Sequence, residues 1–572
     1  MSSKKRKKRE ETKRPWFKSW PKGVPKNIEY PEISLFDLLR KTAEKYPSNT
    51  ALVYFGREIS YEELIQAADR FATALSHLGA KKGDKIALFL PNMPSFIVSY
   101  YGSIRIGAVV TAISPLYKER EVEHQLSDSE AETIVVLDLL YPMVEKVWRK
   151  TQLKNVVVTS LKDHMPIAKA FLGSLLKKIP SRKVERKPNV HHLKDILSKF
   201  EPKPPTVEIS PKEDLAGLQY TGGTTGTAKG AMLTHMNLVS NAVSCAAWLR
   251  GTEGQETFLA VLPLFHIYGM TTGMNAPIYL AGKVVLLPRF DLVATFKAIQ
   301  DHKVTVFCGA PTMYSMLLAH PDMDKYNCRS VRFCISGSAP LPPEVQRKFM
   351  DLTGGVLVEG YGLTESSPVT HCNPLDRTME TVKIGSIGLP WPDTEAKIVD
   401  MNTGEKELMT GEIGELVIKG PQIMRGYWKM PEETSDVLRN GWLFTGDIGK
   451  MDEDGYFYIT DRKKELIKYK GYSVYPRELE DVLHEHPAVK ICGVVGKADH
   501  VAGEIPKAFV VLKEGKNATE KEIMNFVNEK VSPYKAIREV EFRTELPMTM
   551  VGKVLKRALQ TEEREKATKT AT

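Results

Sequence analysis

The sequence predicts an α/β protein with a large N-terminal body of layered strands and helices, a β-rich unit after it, and a small α+β unit at the C-terminal end. Three observations predict this. Short apolar runs at residues 85–90, 108–112 and 133–137 alternate with amphipathic stretches of helical period, the pattern of parallel strands joined by covering helices. After Gly385 the texture changes to short strands between glycine turns at Gly411, Gly414, Gly420 and Gly426. From about Lys464 a compact strand and helix alternation resumes.

The elements run in order along the chain. Ser34 is placed to cap a helix over 35–45, and Ile59-Ser60 precedes another over 61–78. Residues 95–105 and 120–126 read as helices between the apolar runs. Strands are expected at 284–287 and 304–307 in the series that runs from 215 to about 373. The C-terminal unit reads as a helix over 477–486, strands over 490–495 and 508–512, and a helix over 520–531. No repeat of fixed period appears.

A chain of 572 residues, 42% hydrophobic and 26% charged, has the composition of a multidomain globular protein. No apolar run reaches the roughly 18 residues of a membrane-spanning helix. The first residues lack the apolar stretch of a secretory signal, so a cytoplasmic location is expected. Cys245, Cys308, Cys328, Cys334, Cys372 and Cys492 are scattered without a Cys-x-x-Cys pair, which argues against a disulfide framework or a structural zinc site.

The net charge of +10 is local. Residues 1–23 carry +8 and residues 160–204 carry +7, which leaves the rest of the chain about −5. A nucleic-acid partner is therefore not expected for the body. The expected division is a basic disordered tail at 1–23, a body over 24–463, a C-terminal unit over 464–560 and a second tail at 561–572. Within the body, 160–204 is a basic amphipathic insertion and 385–460 is the β-rich part.

The strongest local signal is Tyr220-Thr-Gly-Gly-Thr-Thr-Gly-Thr-Ala-Lys-Gly230. Gly222, Gly223 and Gly226 free the backbone to wrap an anion. Thr221, Thr224, Thr225 and Thr227 supply hydroxyls, and Lys229 supplies charge. It is a phosphate loop by chemistry, but not a Walker A loop, because Ala228 stands before Lys229.

This loop resembles that of the acyl-adenylate-forming superfamily, which includes acyl-CoA synthetases, firefly luciferase and peptide-synthetase adenylation domains. Five further segments resemble the family's motifs in chain order: Gly337-Ser-Ala-Pro340, Tyr361-Gly-Leu-Thr-Glu365, Thr445-Gly-Asp447, Asp461-Arg-Lys-Lys-Glu-Leu-Ile-Lys468 and Met550-Val-Gly-Lys553. The resemblance covers roughly residues 31–557 and implies ATP, Mg2+ and coenzyme A as the small molecules handled. It also implies a mobile C-terminal domain turning about a hinge at Lys464.

Residue by residue, the resemblance places Ser338, Ala339, Glu359, Gly360, Tyr361 and Thr364 around the adenine. Asp447 and Arg462 fall on the ribose, and Thr221 and Glu365 on the metal. Lys464 and Lys468 fall near the phosphates or the thioester step, and Gly471 and Tyr472 on the side that meets coenzyme A. Lys553 is the residue on which adenylation should depend most, because negative charge builds where a carboxylate meets the α-phosphate. A preorganised ammonium there is worth on the order of 10² to 10³ in rate. The family commonly has a small residue where Val551 stands.

Leu262-Pro-Leu-Phe-His-Ile-Tyr-Gly269 resembles the segment that lines the acyl entrance, with Phe265, His266 and Tyr268 against the acid. No nearby Asp offers to hold an amino group, and with 19 residues after Lys553 a carrier domain is not expected. Ile167, Phe171, Leu172, Leu175, Leu176 and Ile179 fall on one face of a basic helical stretch, suited either to an anionic membrane surface or to packing on the body. Long-chain fatty acyl-CoA synthetases of bacteria and archaea resemble the chain throughout. A long-chain fatty acid–CoA ligase is the leading expectation, with fatty acid, ATP and CoA as partners. An anionic membrane surface reached through 1–23 and 160–204, at the inner membrane face, and a homodimer are further candidates. The rivals are a medium-chain or aromatic (coumarate-like) ligase, a luciferase-like enzyme, and a non-catalytic adaptor.

Overall fold

The computed structural model describes residues 14–169, 179–221, 228–470, 472–548 and 554–571. They form two compact units. The larger is Trp16–Glu395 with Lys419–Leu443; the smaller contains Ala396–Ile418 and Phe444–Thr572.

In the larger unit, helices α1 (Leu35–Lys45) and α2 (Tyr61–His77) begin in capping boxes at Ser34 and Ser60, whose side chains accept from the N–H groups of Asp37 and Glu63. An eight-stranded sheet comes next, built from β1 (Lys85–Phe89), β2 (Val109–Ala112), β3 (Ala131–Leu137), β4 (Asn155–Thr159), β5 (Val190–His192), β6 (Leu215–Thr221), β7 (Lys229–Thr234) and the short β11 (Gly426–Tyr427). Its order is β11-β7-β6-β2-β1-β3-β4-β5. The strands from β6 to β5 are parallel, and β6-β7-β11 is an antiparallel edge. Helices α3 (Pro94–Arg105) and α4 (Glu119–Ser129) are the crossovers, and Ile134, Val136, Val156 and Val158 form a dry core beneath α4. A second sheet carries β8 (Phe333–Ser336), β9 (Val356–Gly362) and β10 (Val369–Cys372), with β8 and β9 parallel and β9 and β10 antiparallel.

Several expectations need correction. Residues 304–307 do not form a strand: Val306 makes isolated bridges to Phe258 on one side and Phe333 on the other, and Gly309 makes another to Ser336. The tail ends earlier than residue 23. Residues 1–13 lie outside the described part, but Trp16 is buried in a 3₁₀ turn over Pro15–Ser19, and Trp20 packs edge-on against Trp248 at 5.6 Å. Three aromatics among the lysines supply the apolar surface that a charge count overlooks. The basic insertion is also partly structural. β5 extends the main sheet, and Leu193 and Ile196 of the following helix are buried. Phe171, Leu172, Leu175 and Leu176 lie outside the described residues, while Ile167 is 89% exposed.

The smaller unit contains β12 (Trp442–Met451) from Phe444 on and β13 (Phe457–Arg462), paired antiparallel. Its C-terminal sheet is built on β14 (Ile467–Tyr469), β15 (Tyr472–Val474), β16 (Val489–Asp499), β17 (Gly503–Leu512) and β18 (Glu539–Phe542). Helices α5 (Pro476–His484) and α6 (Glu520–Asn528) bury Leu479, Leu483, Ile523 and Val527 in one core with Val494 and Val510 of the sheet. Compactness does not divide the chain at 463/464. Asp461 accepts from the Arg477 N–H at 2.9 Å and Ile459 O accepts from the Arg477 guanidinium at 2.7 Å, so β13 is tied to the first turn of α5. The expected second tail is helical: α7 (Lys556–Ala571) buries Glu563 against Lys507 at 3.0 Å. All six cysteines are buried and free, and among the described residues no helix is long and apolar enough to cross a membrane.

Candidate functional site

The glycine–threonine loop joins neighbouring antiparallel strands. Thr221 ends β6, Lys229 begins β7, and the two residues sit opposite each other in the ladder. Gly222, Gly223, Thr224, Thr225 and Gly226 lie outside the described residues, but the strands on either side of them are fixed. Tyr220 secures one of these strands by donating to Asp128 Oδ2 at 2.5 Å. Its ring occupies the space a side chain at Gly230 would need, since a Cβ there would stand 3.2 Å from the ring.

Beside this stem four charged or polar groups converge. Lys229 is largely buried, and its Nζ lies 5.3 Å from the centre of the Tyr427 ring and 3.9 Å from Glu433. The Tyr427 hydroxyl donates to Glu365 Oε1 at 2.7 Å. Burial and the Glu365 charge push the Tyr427 phenol well above its ordinary range, so it stays a donor. β11 brings Tyr427 there by pairing Tyr427 with Ala231 and Gly426 with Met232 of β7, while Met424 N–H donates to the Glu365 carbonyl at 2.8 Å.

Tyr361 stands at the end of β9, opposite His371 of β10, with the two rings edge-to-face at 5.9 Å. Its neighbours explain the flanking glycines. A Cβ at Gly362 would stand 2.1 Å from the Pro368 carbonyl, and one at Gly360 2.8 Å from Ile335. Glu359 is buried and accepts from the Leu341 N–H at 3.0 Å, so it pins the turn that holds Ser338 and Ala339. Ser338 itself is exposed with φ of 73°, while Ala339, Thr364 and Glu365 are half-buried. His371 is fully buried and its ring pKa falls to about 3, so it is neutral.

The acyl-entrance segment is clamped from two sides. Asn92, buried, donates to the Ala260 and Leu262 carbonyls at 3.1 and 2.9 Å and accepts from Leu264 N–H at 2.8 Å. Gln219, two residues before Thr221, donates to the Phe265 carbonyl at 2.7 Å. His266 caps the next turn by accepting from Tyr268 N–H at 3.3 Å, and burial lowers its pKa to about 4. Tyr268 donates to Ile335 O at 2.8 Å, and its ring lies against Gly337, where a Cβ would meet it at 2.9 Å. A π-helical turn over Thr271–Asn275 comes next, a distortion frequent at functional sites.

In the smaller unit Asp447 and Arg462 are opposite each other on β12 and β13. Arg462 Nε lies 2.9 Å from Asp447 Oδ1, with the Asp447 side chain 4% exposed. The Asp447 N–H donates to Thr445 Oγ1 at 3.0 Å, and Gly446 turns at φ of 71°. Lys464 is exposed. Lys468 is also exposed and donates to Ser473 Oγ at 2.8 Å. The Tyr472 ring lies tilted against that of Tyr534, with centroids 5.0 Å apart. Gly471 and Lys553 lie outside the described residues.

Within the larger unit the structure brings Lys229 and Glu365 together through Tyr427, and Tyr268 together with Gly337. Sequence reasoning missed Tyr427, Asn92 and Gln219. Gly426, at φ of 147° beside Thr434, was the available signal for β11, since a Cβ there would meet Thr434 at 2.6 Å.

The AMP-binding enzyme family matches residues 39–428, and its C-terminal domain matches residues 478–553. A long-chain-fatty-acid–CoA ligase of Bacillus subtilis (strain 168) is 44% identical over 561 residues, 97% of this chain and 99% of that one. One from Escherichia coli O157:H7 is 38% identical over 567 residues, with the same coverage. ATP-bound MatB from Rhodopseudomonas palustris superposes with a TM-score of 0.80 at 29% identity, covering 93% of this chain and 99% of that one.

Proposed function

The chain belongs to the AMP-binding enzyme family, and on that premise we propose that it is a long-chain fatty acid–CoA ligase working through an acyl-adenylate. The observation that carries the reading is near-full-length identity of 38–44% to ligases of that name, 97% of the chain being covered. In the first half-reaction a fatty carboxylate attacks the α-phosphorus of ATP and pyrophosphate leaves. In the second, the thiol of coenzyme A attacks the acyl carbon, AMP leaves, and the thiol proton goes to solvent.

The residues of the loop stem suit the first step. Thr221, Gly222, Gly223, Thr224, Thr225, Gly226 and Lys229 would cradle the phosphates, with Lys229 offering charge from a largely buried position. Tyr361 would lie against the adenine, and Asp447 with Arg462 would hold the ribose. Lys553 would neutralise the charge that develops between the two anions. Phe265, His266 and Tyr268 would meet the acid; a neutral His266 suits an apolar acyl chain better than an imidazolium would.

Thr221 and Glu365 fit a magnesium site. A carboxylate offers about four lone-pair positions, and Tyr427 takes one of them on Glu365. Mg2+ is bound through one or two protein oxygens together with substrate phosphates and water, which a hydroxyl and a single carboxylate can supply. When bound it supplies charge neutralisation on the phosphates. The basic segments at 1–23 and 160–204 favour an anionic membrane face as the surface from which the acid is taken.

The test is to incubate the protein with Mg·ATP, coenzyme A and acids from acetate to oleate, coumarate included, and to measure acyl-CoA and AMP by mass spectrometry. Thioester mainly from long chains, lost in Lys553→Ala, supports the reading. A preference for coumarate or medium chains overturns the chain-length assignment, and no acyl-CoA with any acid overturns the ligase.

A further inference from the structure

Lys556 is a buried cation three residues beyond Lys553, and its side chain is only 9% exposed. Its Nζ lies 2.9 Å from Glu465 Oε2 and 3.0 Å from Glu480 Oε1. Glu465 sits on the turn directly after β13, where its N–H donates to Arg462 O at 2.9 Å. Glu480 is on α5, and its Oε1 also accepts the Val494 N–H of β16 at 2.8 Å. Asp461, buried at the end of β13, is fastened to the same α5 through Arg477 N–H and accepts from Arg462 N–H at 2.7 Å.

The other side of Lys556 is equally fixed. Met548 and Val554 form a bridge, and Leu555 N–H donates to Pro547 O at 2.7 Å, so Pro547–Met548 and Val554–Leu555 are held together. Val554 and Leu559 press on β16 at Gly493, where a Cβ would stand 3.0 Å from Val554. One ammonium therefore joins two stretches about ninety residues apart in sequence, Val554–Leu555 and the turn after Arg462.

Burying a lysine between carboxylates is a poor way to gain stability alone, because desolvation offsets most of the attraction and apolar residues of similar size do as well. What an ion pair of this kind supplies is a fixed spacing and register. We propose that Lys556 is a positioning residue for adenylation, holding Val554 and Leu555, which follow Lys553 in the chain, at a set distance from the turn after Arg462. The proposal rests on the ligase reading, in which Lys553 serves the first half-reaction and Arg462 the ribose. A displacement of about 1 Å at a reacting group can cost on the order of 100-fold in rate, so loosening this anchor is expected to be felt in catalysis before it is felt in folding.

The experiment uses the full chain with Lys556→Met, Lys556→Arg and Glu465→Gln. Pyrophosphate release from Mg·ATP and a long-chain acid reports the first half-reaction, and thioester formation from supplied acyl-adenylate reports the second. Lys556→Met is expected to slow pyrophosphate release by roughly 10- to 100-fold while thioester formation from acyl-adenylate stays within about twofold. Lys556→Arg, which keeps the charge, is expected to recover most of the loss. Glu465→Gln leaves Lys556 paired with Glu480, and is expected to fall between, so a Lys556→Met chain that fails to fold leaves the question decidable. Equal loss of both half-reactions in step with a lowered Tm, or no loss in Glu465→Gln and Lys556→Met alike, overturns the proposal. If the unsubstituted protein releases no pyrophosphate with any acid, the ligase reading itself has failed, which is a different result.

Discussion

The hydroxyl of Tyr427 donates to Oε1 of Glu365 at 2.7 Å, across 62 residues of sequence. The same ring lies 5.3 Å from the Lys229 ammonium. A short strand, β11, thus delivers one aromatic residue that fixes a carboxylate and faces a cation beside the loop stem. A hydrogen bond to a charged group is worth about 1.5–3 kcal/mol. Here its main effect is orientation, since a carboxylate left to rotate presents no defined oxygen to a cation.

Tyr427→Phe keeps the ring and removes the donor. Pyrophosphate release is expected to fall roughly tenfold at limiting Mg2+, in line with loss of one such hydrogen bond, and to recover partly at saturating Mg2+. A titration of rate against Mg2+ concentration checks this. Equal rates for both proteins at every concentration would remove Tyr427 from the site.

Gly337→Ala places a Cβ 2.9 Å from the Tyr268 ring, which cannot retreat because its hydroxyl is bound to Ile335 O. Overpacking of this kind costs about 1–3 kcal/mol. The expected result is a higher KM for the acid with the KM for ATP little changed, and recovery in Gly337→Ala/Tyr268→Leu. A change confined to ATP would assign Tyr268 to the nucleotide instead.

Much of the fold could be read from the sequence where local rules and burial agree. Ser34 and Ser60 cap their helices as the Ser-x-x-Asp and Ser-x-x-Glu spacings require, and β1 and β3 are apolar runs because both faces are covered. The misreadings have a common cause. Val304, Val306 and Phe307 have strand composition, yet Val306 makes only isolated bridges and no continuous ladder forms, because pairing is decided by neighbours distant in sequence. Trp16 was hidden inside a charge count, and α7 inside a polar terminal segment whose buried Glu563 needs Lys507, 56 residues earlier, to be satisfied. The motif residues of the candidate site stood out as glycines and charges. Tyr427, Asn92 and Gln219 did not, because each acts through a partner that no spacing reveals.

Acid should destabilise the larger unit through its buried histidines. Burial lowers His371 to about 3, and His164, His235 and His266 to about 4, from an ordinary value of 6.5. Between those values the unfolded chain binds protons that the folded chain refuses, so stability is intact above 6.5 and falls as pH drops toward 3. The slope is about 1.4 kcal/mol per pH unit for each such group. Urea unfolding at pH 7.5 and pH 5 is expected to show the loss, and His371→Gln to reduce it. An unchanged slope in that variant would mean His371 titrates freely in the folded state.

Asp447 and Arg462 give the sharpest test of the ribose assignment. They face each other across β12 and β13, and the ion pair leaves the Asp447 side chain 4% exposed while Arg462 is more open. A carboxylate accepts from both hydroxyls of a ribose, whereas an amide of the same shape accepts with one oxygen only. Asp447→Asn should therefore raise the KM for ATP by roughly tenfold, the value of one charge-assisted hydrogen bond, and leave the KM for the acid alone. The discriminating readout is the preference for ATP over 2′-deoxy- and 3′-deoxy-ATP. The unsubstituted protein is expected to favour ATP strongly, and Asp447→Asn to lose most of that preference. If the preference survives intact while the KM rises, Asp447 acts only by holding Arg462 and the turn at Gly446, and the hydroxyls must be read by another group.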